Sequence, residues 1–305
     1  FQRYDIRNLP LTLLFDFAVA FPSAVHFRLF VVLIYPKPPK GFDRLVKAMY
    51  KDNDAYGKMR GVSTSLSKAL CAVLQGCPLS RSLFVIVIDP LLFMFSKYIH
   101  DPGFGIIRAC ADDIGIVLKK MKHMKHLHSI FKFFEKVSGL ALKPRKCVGI
   151  LNTVEASEIN CRAISLWLTN YIPEWKDFKF DNRGKYLGFF LGPTAGDVQW
   201  LAAMGKFKER VASFKITKLP LRLAASRFAT HSLSVLGYLA QLLHPPPKFK
   251  STQLGVGTKV FGFATSALTC DAAFALDKLG SLKLPHPGLF FAACMFRACC
   301  RTIKN

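Results

Sequence analysis

Acidic side chains are scarce: 19 Asp and Glu stand against 43 Lys and Arg in 305 residues, a formal net charge of +24 and a pI near 9.9. Such an imbalance points to a polyanionic partner, nucleic acid first and an anionic membrane surface second. The shortage is most pronounced after residue 200, where 15 Lys and Arg meet only Glu209, Asp271 and Asp277. Each acid that remains upstream, Asp16, Asp112 and Asp113 among them, is therefore more informative than it would be in an average chain.

Cysteine pairs of the C-x2-C kind are missing as well. The nine cysteines are odd in number and irregularly placed, which suits a reducing compartment better than a disulfide framework. Cys294, Cys299 and Cys300, with His286 upstream, contain no C-x2-C pair, the tightest of the zinc spacings; buried or incidental thiols are the expectation there. Mean hydropathy is high at +0.26, yet the apolar stretches are interrupted. "LTLLFDFAVAFPSAV" contains Asp16 and Pro22, and "FRLFVVLIYP" stops at Pro36, so neither reaches the roughly 20 residues of a spanning helix, and no transmembrane segment is expected. There is no evident signal peptide and no initiator Met before Phe1, so the expectation is a fragment of a longer sequence.

Residues 11 to 21 mix Leu, Phe, Val and Ala around one Asp, the pattern of a buried strand that delivers Asp16 at its end. "PKPPKG" (36 to 41) is a breaker loop, and Phe42, Leu45, Val46 and Met49 then recur at helical spacing. Residues 76 to 99 open on a Gly/Cys/Pro turn and continue as a long apolar helix. "GFGIIRACADDIGIVLKK" reads as two strands joined by a tight turn at Asp112 and Asp113. Met121, Met124, Leu127, Phe131, Phe134 and Val137 mark an amphipathic helix over 119–138 that ends at Gly139. His123, His126 and His128 on it have no acid or Cys beside them, so a solvated basic face is expected rather than a metal site. "KYLGFFLGP" reads as a short hairpin. Helical patterns resume from about 197, include 219 to 247, and weaken beyond 245. The order of elements predicts an α+β fold, a split βαββαβ unit of the ferredoxin-like kind followed by a mostly helical module.

Turns favour Asp, and two exposed carboxylates need no function. Weighing against that plain reading, the flanks "GIIRAC" and "IGIVL" are apolar enough to bury the hairpin, where neighbouring carboxylates repel and lose hydration. A divalent cation relieves both costs. If Asp16 joins the pair, three acids can hold two ions of the Mg²⁺ type, which take few protein carboxylates plus phosphate oxygens and water and clamp both oxygens of a phosphoryl transfer.

Five motifs then agree in order with a known family. "FDFAVAF" (15 to 21), "LQGCPLSRSLF" (74 to 84), "CADDI" (110 to 114), "SGLALKPRKC" (138 to 147) and "KYLGFFLG" (185 to 192) resemble motifs A to E of the reverse transcriptase palm, most closely those of the non-LTR (LINE-type) retrotransposon branch. The resemblance implies a right-hand polymerase palm over 1–195 and a basic, helical, thumb-like region over 196–305. It implies an RNA-directed DNA polymerase that extends a primer 3′-hydroxyl with dNTPs on an RNA template, using two Mg²⁺ ions or Mn²⁺ in their place. Asp16, Asp112 and Asp113 match the metal ligands, and Lys146 the basic residue that protonates the departing pyrophosphate, although a phosphate-contacting or solvated lysine explains Lys146 equally well. Phe21 stands where a ring crowds a ribose 2′-hydroxyl, although core packing explains a Phe equally well. Gln75 and Gly76 match the nucleotide-binding turn, and Leu187 and Gly188 the primer grip. The implied partners are an RNA template, a DNA primer duplex and dNTPs; the implied location is intracellular, nuclear or ribonucleoprotein-associated.

The sequence also departs from that pattern. Cys110 replaces an aromatic before Ala-Asp-Asp, and Arg81 stands where a small or apolar residue is usual. Only 15 residues precede Asp16, so the fingers are expected to be largely missing. Two other readings stay open: a catalytically inactive retroelement remnant that only binds nucleic acid, and a peripheral membrane-surface protein, which leaves the motif order unexplained.

Overall fold

The computed structural model describes residues 5–34, 41–51, 54–59, 61–68, 77–214, 219–246 and 286–303, together with residues 39, 71, 73, 249 and 260. The chain divides into two compact units, Phe1–Ala195 and Gly196–Asn305.

The first unit is built on a five-stranded sheet. Its strands are β1 (Leu11–Phe15), β4 (Gly105–Cys110), β5 (Asp113–Leu118), β6 (Val148–Leu151) and β7 (Lys179–Asp181), hydrogen-bonded in the order β4-β5-β1-β6-β7. β1 is antiparallel to both neighbours, and β7 joins the β6 edge in parallel. Successive side chains point to opposite faces. Leu11, Leu13 and Phe15 of β1 and Ile114, Ile116 and Leu118 of β5 are all buried on one of them. That face is covered by α4 (Ser80–Phe95) and α5 (Met124–Ser138), whose Phe95 and Phe131 meet with ring centroids 5.0 Å apart. Phe131 in turn lies 4.7 Å from Phe15. α5 ends at Gly139 with φ 76°, the left-handed cap expected at that position.

The opposite face is covered by the hairpin of β8 (Gly184–Tyr186) and β9 (Phe189–Leu191). A Cβ at Gly184 would lie 2.9 Å from Leu14 and 3.0 Å from Ile150, so strand and hairpin meet without a side chain between them.

Ser80–His100, α4 with the π-helical turn that follows it, is long and apolar enough by length and composition to cross a membrane. Its Leu83, Phe84, Val87, Ile88, Leu91, Phe95 and Ile99 are buried in the core of this unit, which accounts for the apolarity.

Several elements escape the sequence reading. α1 (Ala20–Ser23), α2 (His26–Ile34), α6 (Glu158–Tyr171) and the hairpin of β2 (Asp54–Met59) and β3 (Val62–Lys68) accompany the expected α3 (Phe42–Tyr50). The tight turn between β4 and β5 falls at Ala111 and Asp112, with Asp113 already paired to Cys110, one residue earlier than expected. Ala111 takes φ 54°, a conformation that its residue type does not advertise.

The second unit is helical among its described residues: α7 (Leu201–Ala212), α8 (Leu221–Arg227) and α9 (Pro287–Ile303). The pattern over 219–247 is not one helix. It passes from α8 into a π-helical turn and short 3₁₀ turns. There the hydroxyls of Thr230 and Ser234 donate back to the carbonyls of Ser226 and Thr230 and compete with the backbone ladder. α9 lies in the stretch where the pattern is expected to fade. His286 caps it, Nδ1 accepting from the Leu289 N–H at 3.3 Å, so this histidine has a structural use upstream of Cys294.

Candidate active site

Adjacent strands of the five-stranded sheet bring the acids together. β1 pairs with β5 so that Phe15 lies opposite Ile114, and one step further the same register sets Asp16 beside Asp113. By strand alternation both point away from the helical core. Asp112 is half-buried in the turn, Asp16 is half-buried and Asp113 exposed. The Asp113 carboxyl is held above the ordinary aspartate range, first by partial loss of water and then by the charges of Asp112 and Asp16. Asp113 therefore senses both of the other acids.

Segment 141–147 fixes the end of β1. Ala18 N–H donates to Ala141 O at 2.8 Å and Lys143 N–H to Asp16 O at 2.9 Å. The Cys147 thiol accepts from the Asp16 N–H at 3.4 Å and donates to Lys143 O at 3.5 Å. This stitching sets Lys146 Nζ 3.5 Å from Asp16 Oδ2, with the two side chains 54% and 45% exposed. A contact that open contributes little and leaves the acids available to other cations. Burial pushes the Cys147 thiol up to about 12. Iodoacetamide at pH 8 should therefore label Cys147 roughly a thousandfold more slowly than an ordinary accessible thiol, and more slowly than exposed Cys110. Peptide mass spectrometry after timed labelling checks this; equal rates would mean that segment 141–147 opens readily.

Among the described residues no group of three or more acid, His or Cys side chains is already gathered as a metal cluster. The donor chemistry still fits a hard divalent cation: carboxylate oxygens only, mutual repulsion that lifts Asp113, and a loosely held lysine as counter-charge.

On the same face, Leu187 and Gly188 form the two-residue turn of the β8–β9 hairpin, both with positive φ (48° and 84°). The preceding Tyr186 reaches the acid-bearing hairpin directly: its hydroxyl lies 3.2 Å from Arg108 O and 3.4 Å from Asp113 O. Phe21, half-buried on α1, stacks on Phe84 at 4.6 Å, so packing accounts for at least part of its presence. Gln75 and Gly76 lie outside the described residues. Arg81 is exposed and needs no buried counter-charge.

The family of reverse transcriptases (RNA-dependent DNA polymerases) matches residues 9–192, more than half of the chain and all the elements just described. The chain belongs to the reverse transcriptase family. No curated protein matches its sequence. Among solved structures, telomerase of Candida tropicalis in complex with a TWJ fragment of telomeric RNA is similar with a TM-score of 0.51 at 10% identity, covering 99% of this chain and 48% of that one. Apo telomerase of the same organism gives 0.49 at 13% identity, over 84% and 43%. The chain thus spans about a third to a half of the length of the telomerase chains it matches, and at these identities the likeness is one of fold: the α+β reverse transcriptase palm with a helical region after it.

Within that fold, the three histidines of the basic stretch do not converge. His123 stacks on Phe104 at 4.1 Å, while His128 Nε2 lies 3.2 Å from Glu174. Burial pushes both imidazoles below their ordinary value. The expected solvated basic face is present in exposed Lys119, Lys120, Lys122, Lys125 and His126, while His123 and His128 are half-buried. The residues that sequence reasoning missed are Cys147 and Tyr186. Cys147 directly follows Lys146 and Tyr186 directly precedes the Leu187–Gly188 turn, yet only the three-dimensional register shows what each one touches.

Proposed function

We propose that this chain is the palm and thumb-like part of an RNA-directed DNA polymerase of the non-LTR (LINE-type) branch. What supports the reading is the juxtaposition of Asp16 with Asp113 in the β1–β5 register, with Asp112 in the adjoining turn and Lys146 alongside. Asp16, Asp112 and Asp113 would hold divalent cations of the Mg²⁺ type, which supply the positive charge that an attacking 3′-oxygen and a departing pyrophosphate require. Lys146 donates a proton to that pyrophosphate. The backbone at Leu187–Gly188 seats the primer end, Phe21 borders the sugar of the incoming dNTP, and Gln75 with Gly76 lines the templating base. The Lys and Arg of the second unit hold the RNA–DNA duplex through its phosphates, so binding should fall steeply with salt. Free thiols at all eight described cysteines suit the intracellular, ribonucleoprotein-associated setting that such a role needs.

The test is labelled dNTP incorporation on oligo(dT)-primed poly(rA) with Mg²⁺ or Mn²⁺, comparing the chain with its Asp112→Asn variant. Incorporation that disappears in the variant establishes polymerase and site together. Salt-sensitive duplex binding without incorporation above the variant would replace this reading with that of a remnant that only binds nucleic acid.

A further inference from the structure

We propose that Tyr186 is a positioning residue that locks the β4–β5 hairpin to the β8–β9 hairpin, so that the Leu187–Gly188 turn and the Asp113 carboxylate keep a fixed spacing. The proposal rests on the polymerase reading for its consequence in catalysis, while the lock itself stands on geometry.

The phenol hydroxyl bridges the two strands of the acid-bearing hairpin, 3.2 Å from the Arg108 carbonyl on β4 and 3.4 Å from the Asp113 carbonyl on β5. Its one proton is shared between two acceptors, so the ring sits across the stem of the hairpin rather than against one strand. Gly115, opposite Arg108 in the register, leaves the space for it: a Cβ there would lie 3.4 Å from both Cε2 and Cζ of Tyr186. A methyl would fit at ordinary contact; a branched side chain would displace the ring. Gly115 shares a strand face with Asp113, so the ring lies on the acid's side of the sheet.

Turn strain gives an independent reason to look here. Leu187 adopts φ 48° at a hairpin position where Asn, Asp or Gly is usual. Such a residue persists when its surroundings over-determine it. Tyr186 anchors one end of that turn to β4 and β5, and its cross-strand pairing with Phe189 closes the other. A turn held in this way transmits the position of whatever it seats to the acid on the neighbouring hairpin.

Tyr186→Phe keeps the ring and removes the hydroxyl; Gly115→Val keeps the hydroxyl and displaces the ring. Hydrogen exchange of the 110–116 amides, read without nucleic acid, should accelerate about tenfold in both variants while exchange in α5 stays unchanged. Single-nucleotide incorporation should show a roughly five- to tenfold fall in kcat with little change in KM for dNTP, and the Phe variant should melt within about 2 °C of the parent. Unchanged exchange in both variants would overturn the lock. Accelerated exchange with an unchanged kcat would overturn its role in positioning. If the parent chain incorporates nothing, the polymerase reading falls and takes the catalytic consequence with it, while the exchange result still decides the lock.

Discussion

Asp113→Asn is expected to lower nucleotide incorporation by about a thousandfold, the equivalent of the several kcal/mol that a metal clamp supplies, and at the same time to raise the melting temperature by about 1–2 °C at pH 7. The first effect follows from removing one of three candidate metal ligands. The second follows from the direction in which the carboxyl is shifted. Partial desolvation and the charges of Asp112 and Asp16 hold it above an ordinary aspartate, so the folded chain binds that proton more tightly than the unfolded one. Ionising Asp113 therefore costs stability in the fold. That cost fades as pH falls below the ordinary aspartate value of 3.8, where the group becomes protonated in both states, and grows as pH rises through the raised value. Asn removes it. Relief of one cross-strand like-charge contact amounts to about a few tenths of a kcal/mol, and exposure of the side chain keeps it at that level. Melting curves at about pH 7 and about pH 3.5 should show the gain in the first and not in the second. Adding Mg²⁺ or Mn²⁺ should stabilise the parent more than the variant, because a ligand bound only by the folded state raises its stability in proportion to the sites that hold it. A variant that melts lower than the parent at pH 7 would show that Asp113 is held by favourable contacts rather than set against its neighbours.

The acids are legible in the sequence because the chain has so few of them and because β1 and β5 carry apolar alternation on one face. The sequence also exposes α3 and α5, whose apolar residues recur at helical spacing. What it hides has physical causes that differ from place to place. The hairpin turn is read one residue late because Ala111 takes a left-handed conformation that neither Gly nor Asn announces. α6 is obscured because its buried Ile164, Trp167 and Leu168 are diluted by Ile159, 80% exposed, and Leu166, 63% exposed. α9 has Leu289 and Phe296 exposed beside buried Phe291 and Cys294, so no clean stripe emerges. In 219–247 the propensities favour a helix, and side-chain hydroxyls bonding back to the preceding turn break it. The contacts of Tyr186 and Cys147 belong to register and burial, which no local pattern encodes.

Phe131→Ala should be the most destabilising single change in the first unit. Its ring lies 4.7 Å from Phe15, 5.0 Å from Phe95, 6.0 Å from Trp175 and 6.4 Å from Phe17 by centroid, so one side chain joins β1, α4, α5 and the segment before β7. Truncating such a residue loses its transfer energy and leaves a void, together about 3–5 kcal/mol, which corresponds to roughly 10 °C for a unit of this size. The void would open toward a cavity of about 130 Å³ that Phe131 already lines with Trp175, His128 and Glu174, so neighbouring groups have little means of closing over it. Phe133→Ala, two residues along on the same helix but 57% exposed, is the control and should stay within about 0.5 kcal/mol of the parent. Urea melts of both variants decide the comparison. Incorporation by Phe131→Ala, corrected for the folded fraction, should fall too, because Phe15 and Phe17 flank Asp16 and both rest on the lost ring. A variant that melts like Phe133→Ala would mean that the aromatic cluster under Asp16 tolerates the hole and that the position of the acid is set by the strand and segment 141–147 alone.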